Sequence, residues 1–203
     1  MPPTILTLVR HGETPANLDG VWHGSTDTLL TERGRAQAER VGAYIGETYP
    51  ESSALYASPR TRTLDTAAPI AQALGLEVQV EPGLAEYDLG EWEGRSYREL
   101  AETEKLWERM KTEPDFAPSG GESPIQVRDR MAEALRRIDA THPDERIVVV
   151  THGGALSLVL GDLLDGDYSN WHRIMTNAAV SELELHPVPR LLSFNSTEHL
   201  QGV

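Results

Sequence analysis

The sequence predicts a three-layer α/β/α sandwich, in which helices cover both faces of a mostly parallel β-sheet. Short apolar runs of strand length alternate with longer segments of helical periodicity, the pattern of such folds. Residues 147–150 are apolar at every position, which is typical of a parallel strand that is covered on both faces. We expect residues 1–203 to form one domain, because no linker, repeat or low-complexity tract divides them.

The first part of the chain predicts a strand, a loop and a helix. The apolar run 5–9 has the length of a strand. Residues 12–30 are rich in Gly, Pro, Asn and Asp, which predicts a long loop, and a loop of that length is usually functional. Residues 31–49 place apolar side chains on one helical face, and Pro50 ends this helix.

A second helix lies between two further strands. Residues 54–56 form a short apolar run and residues 77–80 alternate, so each is predicted to be a strand. The helix between them is expected to open at Ser58-Pro59, with the proline in its first turn. Gly75 is expected to end it.

The second half begins with an irregular segment and ends with paired strands. Residues 84–94 are polar and aromatic without a clean period, and residues 96–111 predict one charged, exposed helix before a loop at 112–122. Ser123 and Gln126 form a capping box that predicts the next helix. The other predicted elements are the buried strand 147–150, a helix that ends near Leu164, and an antiparallel pair at 180–185 and 190–195.

The composition excludes several classes of function. Eighteen Lys and Arg stand against 32 Asp and Glu, a net charge of −14, which argues against nucleic acid and anionic membranes as partners. There are no cysteines, so a disulfide scaffold, a thiolate metal site and a cysteine nucleophile are excluded. No metal-ligand spacing, ATP-binding loop, targeting segment or membrane-length apolar stretch is visible. We therefore expect a cytoplasmic protein with no metal site.

Two histidines follow strands in the same way. His11 comes directly after the first strand, and His152 follows the buried strand of the second half. In a parallel sheet, both would lie in the crevice at the carboxyl ends of the strands, where such folds bind ligands. Gly12 and Gly153 would let backbone N–H groups approach an anion, and Arg10 adds a positive charge. A lone histidine at a strand end is usually structural, but this pair with these neighbours indicates a functional site.

An arginine and a carboxylate are further candidates. Arg62 lies in the first turns of a predicted helix, where the helix dipole and the guanidinium would both favour an anion. Glu86 lies between Leu84 and Leu89, and apolar surroundings can keep a carboxyl protonated so that it serves as a proton donor. The residues themselves leave open which of four carboxylates acts: Glu86, Asp88, Glu91 or Glu93.

Several segments together resemble the histidine phosphatase superfamily, the phosphoglycerate mutase-like family. An isolated Arg-His-Gly tripeptide would be weak, but here the matches keep the family's order from residue 5 to about 185. The matching segments are residues 8–14 with Asn17, residues 24–31, Arg62 with residues 66–67, residues 84–94, residues 120–123 and residues 150–154.

The resemblance implies a mechanism and assigns a role to each matching residue. His11 would attack a phosphomonoester to form a phosphohistidine, and Glu86 would protonate the leaving group. Arg10, Arg62 and His152 would hold the phosphoryl oxygens. No metal or organic cofactor is implied. The resemblance also places these residues at the substrate: Gly12, Thr14, Asn17, His23, Gly24 and Gly153.

Two alternatives are weighed against a phosphatase that acts on a small phosphorylated metabolite. A phosphoglycerate mutase needs a pocket from which water is excluded, and residues 95–122 offer only a modest lid. A silent phospho-ligand binding domain would have lost one of the functional residues, and none is missing. The leaving group and the oligomeric state (monomer or homodimer) stay open. Five aromatic residues could line the pocket or pack in the core: Tyr87, Trp92, Trp107, Phe116 and Trp171.

Overall fold

The computed structural model describes residues 3–169 and 171–203 and is built on one six-stranded sheet. The spatial order is β3-β2-β4-β1-β5-β6. Strands β1 to β4 pair in parallel, and β5 and β6 pair antiparallel at one edge. This confirms the mostly parallel sheet and its antiparallel C-terminal pair. The strands are β1 (Ile5–Arg10), β2 (Ala54–Ala57), β3 (Val78–Val80), β4 (Arg146–Thr151), β5 (Val180–Glu184) and β6 (Arg190–Ser196).

Helices cover both faces of the sheet, which confirms the three-layer fold. Val148 and Val150 pack in a cluster with helices α2 and α3, whereas Ile147 and Val149 pack with α6 and α7. Successive residues of a strand point to opposite faces, so β4 is buried on both. In the described part of the chain, no helix is long and apolar enough to cross a membrane. The helices are α1 (Pro15–Asp19), α2 (Glu32–Thr48), α3 (Thr61–Leu74), α4 (Tyr97–Thr103), α5 (Leu106–Thr112), α6 (Pro124–Thr141) and α7 (Gly153–Asp165).

Two predictions about the first half of the chain are wrong in detail. The loop 12–30 contains helix α1, which begins after Thr14 with Pro15 in its first position, a start signal that the loop-like composition masks. Helix α3 begins at Thr61, so Pro59 precedes it. The backbone N–H of Ser58 still donates to a carbonyl of β4, 3.0 Å away, and this continued sheet pairing delays the helix.

The predicted helix 96–111 is two short helices, α4 and α5. Lys105 separates them in a left-handed backbone conformation, with a φ of 54°. Leu100 and Leu106 are both buried, yet on one continuous helix residues six apart would point roughly 120° away from each other. The break lets both leucines reach the core.

The register of the sheet brings the two predicted histidines together. Arg10 and Thr151 are paired at the ends of β1 and β4, so His11 and His152 are the first residues beyond two adjacent strands. Helix α7 begins immediately after His152. The N-terminus of α7 and the two rings therefore share the carboxyl edge of the sheet.

Candidate active site

His11 is a buried histidine whose hydrogen bond defines its tautomer. Its Nδ1 lies 2.7 Å from the carbonyl oxygen of Gly12. A carbonyl only accepts, so Nδ1 carries the hydrogen and Nε2 keeps its lone pair. Burial, followed by the charges of Arg10 and Arg62, lowers the pKa of His11 well below 6.5. The ring is therefore a neutral imidazole with a free lone pair, the form of a histidine nucleophile.

His152 lies beside His11, with ring centroids 5.2 Å apart. Its Nε2 is 2.7 Å from the hydroxyl of Ser58, and its buried Nδ1 has no partner among the described residues. Burial, with the nearby charges led by Arg62, lowers the pKa of His152 well below 6.5. The structure thus holds two neutral rings in contact. Ser58, which orients the second ring, was not among the predicted site residues.

These two histidines predict a pH dependence of stability. An unfolded histidine takes up a proton near pH 6.5, whereas the folded rings resist protonation to lower pH. Below pH 6.5 unfolding therefore binds protons, and the free energy of unfolding falls with pH by up to about 1.4 kcal/mol per pH unit for each ring. Urea unfolding at pH 7, 6 and 5 should show a shallower decline in His11→Asn than in the wild type. Parallel declines would contradict this assignment.

Arg10 and Arg62 supply positive charge that no ion pair among the described residues neutralises. Arg10 donates to the carbonyl of Met175, and its buried Nε has no partner among the described residues. Arg62 is 1% exposed, and its two Nη atoms donate to carbonyls of residues 23–26. Burial lowers the pKa of each guanidinium, and the charge of Glu86 opposes this only in part. Neither arginine forms an ion pair within the described ranges, and buried charges without a counter-ion favour a bound anion.

Glu86 is held by the N-terminus of helix α7. Its Oε1 accepts from the N–H groups of Tyr87 (2.8 Å) and Ala155 (2.7 Å), and its Oε2 accepts from that of Gly154 (2.9 Å). A Cβ at Gly154 would lie 2.7 Å from Oε1, so a larger residue there would displace the Glu86 carboxyl from this position. The expectation that apolar neighbours enclose this carboxyl is wrong: backbone donors hold it, because a helix N-terminus has unpaired N–H groups.

Arg130, on helix α6, fixes the segment that carries Glu86. Its guanidinium donates to the carbonyls of Gly83 (3.1 Å), Ala85 (2.7 Å) and Glu86 (2.8 Å). The same group forms two bonds with the carboxylate of Glu122, at 2.6 and 2.7 Å. Sequence reasoning missed Arg130, because its contacts with the Glu86 segment are to main-chain carbonyls more than 40 residues away, which leave no side-chain pattern.

Asn17 and Asn177 form a polar group at the cavity with Thr14. The Oδ1 of Asn17 accepts from the N–H and the hydroxyl of Thr14, both at 3.1 Å, and from Nδ2 of Asn177 at 3.0 Å. Because this oxygen is occupied, the amide donors of Asn17 are the atoms left for a ligand. Asn177 was missed, since it lies in a stretch without periodicity.

A cavity of about 440 Å³ unites most of the predicted residues. Eight of them line it: Arg10, His11, Thr14, Asn17, His23, Arg62, Glu86 and Gly153. His152 does not line it and lies behind His11.

Gly12 and Gly24 do not line the cavity, and their backbone N–H groups are already occupied. Gly12 donates to Oγ1 of Thr66 (3.0 Å) and Gly24 to Oε1 of Glu93 (2.9 Å). A Cβ on Gly24 would lie 1.9 Å from the carbonyl oxygen of Tyr87. These glycines allow close packing, and their contact with substrate stays a prediction.

Four aromatic side chains form one wall of the cavity. Trp107 and Trp171 line it, and both are among the five aromatic residues named as candidates from the sequence. Trp22 and Tyr97, which were not among those five, line it as well. Tyr87, Trp92 and Phe116 pack in or against the core instead. Within residues 3–169 and 171–203, no cluster of three potential metal ligands is present.

Comparisons with known proteins agree with this geometry. The family model of the histidine phosphatase superfamily (branch 1) matches residues 6–197. The metal-independent phosphoserine phosphatase of Arabidopsis thaliana is 32% identical over 98% of this chain and 84% of its own. The glucosyl-3-phosphoglycerate phosphatase of Mycobacterium tuberculosis is 30% identical over 91% and 86%. A phosphoserine phosphatase from Entamoeba histolytica, solved with 3-phosphoglyceric acid, superposes with a TM-score of 0.85 at 32% identity, covering 97% and 99%.

A mostly parallel sheet with two buried histidines at one edge, beside two guanidiniums that form no ion pair among the described residues, defines a class of phosphate-handling enzymes. The chain belongs to the histidine phosphatase superfamily. It is a phosphatase, an enzyme that hydrolyses phosphomonoesters.

Proposed function

We propose that this phosphatase hydrolyses the phosphomonoester of a small metabolite, without a metal, through a phosphohistidine on Nε2 of His11. The neutral His11 ring carries the proposal. Its Nδ1–H is bonded to a carbonyl, so Nε2 keeps its lone pair, and the His11 side chain lines a cavity with Arg10 and Arg62. The proposal includes a cytoplasmic location, a single domain, a monomer or homodimer, and no nucleic-acid partner.

The first half-reaction transfers the phosphoryl group to His11. Phosphoryl oxygens accept hydrogen bonds from Arg10, Arg62 and the amide of Asn17, and these donors stabilise the charge of the transition state. Nε2 of His11 forms a bond to phosphorus as the ester P–O bond breaks. Glu86 donates a proton to the departing oxygen, which leaves as an alcohol.

The second half-reaction restores the enzyme. The carboxylate of Glu86 takes a proton from a water molecule, whose oxygen attacks phosphorus while the P–N bond breaks. Inorganic phosphate leaves, and His11 is again neutral. His152 positions the nucleophile, because its ring packs against that of His11 and is itself held by Ser58.

Hydrolysis is favoured over transfer to a second hydroxyl. A mutase must keep water from the phosphohistidine, and the segment over this pocket consists of the two seven-residue helices α4 and α5. The resemblance to named phosphatases supports the same choice.

The test is phosphate release from p-nitrophenyl phosphate and a panel of alkyl phosphomonoesters, with EDTA present. We expect turnover that EDTA does not reduce. The opposite result is a folded protein that releases no phosphate and transfers the phosphoryl group between the hydroxyls of phosphoglycerate. That result would show that the protein is a mutase and not a hydrolase.

Arg130→Gln tests whether this arginine acts through Glu86. Loss of its bonds to the 83–86 carbonyls would displace the proton donor, and displacements of about 1 Å cost on the order of 10²-fold. We expect kcat/KM to fall by about that factor for alkyl phosphates and far less for p-nitrophenyl phosphate, whose leaving group needs no proton. Arg137→Gln, at an exposed site on the same helix, is the matched control. An equal loss on both substrates would indicate that Arg130 has a general structural role and does not act through Glu86.

A further inference from the structure

We propose that the alcohol released from the ester is an uncharged ring that carries hydroxyl groups, such as a cyclic sugar, rather than a chain that carries a carboxylate. The inference rests on the proposed function and deepens it. Three features of the cavity support it: a circuit of aromatic rings, buried polar atoms without partners, and the small number of cationic side chains on its wall.

The aromatic circuit consists of the four rings that line the cavity, each in contact with the next. Trp22 and Tyr97 have centroids 5.4 Å apart, and Tyr97 and Trp107 are 6.4 Å apart. Trp107 and Trp171 are 5.8 Å apart, and Trp171 returns to Trp22 at 6.4 Å. Rings packed in this way are rigid, and their apolar surface suits the C–H face of a cyclic molecule. Trp107 keeps 42% of its surface exposed, which leaves area for a ligand.

Polar atoms interrupt this apolar wall. Thr28 Oγ1, His23 Nδ1 and Trp171 Nε1 are buried without a hydrogen-bond partner among the described residues, and all three side chains line the cavity. Buried polar groups are normally paired, and an unpaired one is costly. Small movements of these side chains would bring the three atoms to the cavity surface, where hydroxyl groups on the ligand would satisfy them. A purely apolar ring would leave all three unpaired.

The charges on the wall favour a leaving group without a second negative charge. Of the described residues that line the cavity, Arg10 and Arg62 are the only arginines and none is a lysine. Both are assigned to the phosphoryl group, and the Nη atoms of Arg62 already donate to loop carbonyls. A carboxylate such as that of phosphoglycerate or phosphoserine would therefore find no cation of its own. The net charge of −14 adds to this discrimination.

A substrate panel tests the inference on the wild-type enzyme with EDTA present. It contains the 6-phosphates of glucose, mannose and galactose, cyclohexylmethyl phosphate (a ring without hydroxyls), 3-phosphoglycerate, phosphoserine and phosphocholine. We expect the best hexose phosphate to exceed each of the others in kcat/KM by about tenfold or more. The inference would be overturned if a carboxylate substrate ranked first. It would also be overturned if phosphocholine ranked first, because aromatic faces can bind its cation as well. The same holds if cyclohexylmethyl phosphate performs as well as the hexose phosphates.

Two variants test the parts of the pocket separately. Thr28→Val keeps the shape and removes the hydroxyl, so kcat/KM for the hexose phosphate should fall about five- to tenfold more than that for cyclohexylmethyl phosphate. Trp107→Ala should lower kcat/KM for both rings by about tenfold relative to phosphoserine. Phe194→Ala, which removes an exposed aromatic ring on β6, is the control. Equal effects of Thr28→Val on the two rings would contradict the assignment of hydroxyls.

p-Nitrophenyl phosphate separates the two proposals. If the folded wild-type protein hydrolyses it and depends on His11, the proposed function stands whatever the ranking of the panel. If the hexose phosphates do not rank first, only the inference that the leaving alcohol is a hydroxylated ring is then overturned. If the protein does not hydrolyse it or any other ester, both proposals fail.

Discussion

Replacing His11 will abolish turnover, with kcat reduced by at least about 10⁴-fold on every phosphomonoester. The reason is that the ring supplies the bonding electron pair. His152 cannot take its place, because it does not line the cavity and its Nε2 is engaged with Ser58. His11→Asn is the sharper variant, because its amide can still donate to the Gly12 carbonyl. A loss in this variant therefore reflects the missing nucleophile rather than a disturbed loop.

The intermediate itself gives a second measurement. After mixing with a ³²P-labelled ester and quenching in alkali, in which a P–N bond survives, the wild type should carry label on His11. His11→Asn should carry none. His186→Ala, at a histidine whose side chain is 71% exposed, should be labelled as the wild type is. Near-wild-type turnover by His11→Asn or His11→Ala would contradict the mechanism.

The predicted site residues that the structure brings together are those placed by regular secondary structure. His11 and His152 follow parallel strands, and the rule that such strands end at one edge brings them together without knowledge of any loop. The same rule predicts the position of Arg62, since helix α3, which carries it, begins shortly after the carboxyl end of β2. In each case one element carries the residue, and the position of that element can be read from periodicity.

What sequence analysis missed depends on backbone contacts between distant segments. A glycine that lets a backbone approach an anion looks the same as one that lets it approach another backbone, so the sequence did not reveal that Gly24 packs against Tyr87. Arg130 was missed because its contacts with the Glu86 segment are to main-chain carbonyls, which every residue has. The break at Lys105 results from burial of leucines on both sides of it, which local propensity does not reveal.

Glu86→Gln should separate the two half-reactions. For alkyl phosphates, kcat/KM should fall by about 10²–10⁴-fold, because the leaving alkoxide loses its proton donor. For p-nitrophenyl phosphate the first step needs no proton, so kcat/KM should stay within about tenfold of the wild type. The second step still needs a base to activate water. The variant should therefore release nitrophenolate in a burst equal to the enzyme concentration, followed by slow turnover.

The control for Glu86 is chosen from the same segment. Glu91 was one of four carboxylates that the sequence could not distinguish, and its side chain is exposed, so Glu91→Gln should show neither the selective loss nor the burst. Because Glu86 also accepts hydrogen bonds from two backbone N–H groups at the start of α7 and from that of Tyr87, thermal unfolding of both variants must be measured. A burst requires an intact phosphorylation step, which a misfolded site cannot provide. A burst in Glu86→Gln would thus assign the proton transfers to Glu86 even if the variant is less stable. Equal losses of kcat/KM on both kinds of ester would contradict any role of Glu86 in proton transfer.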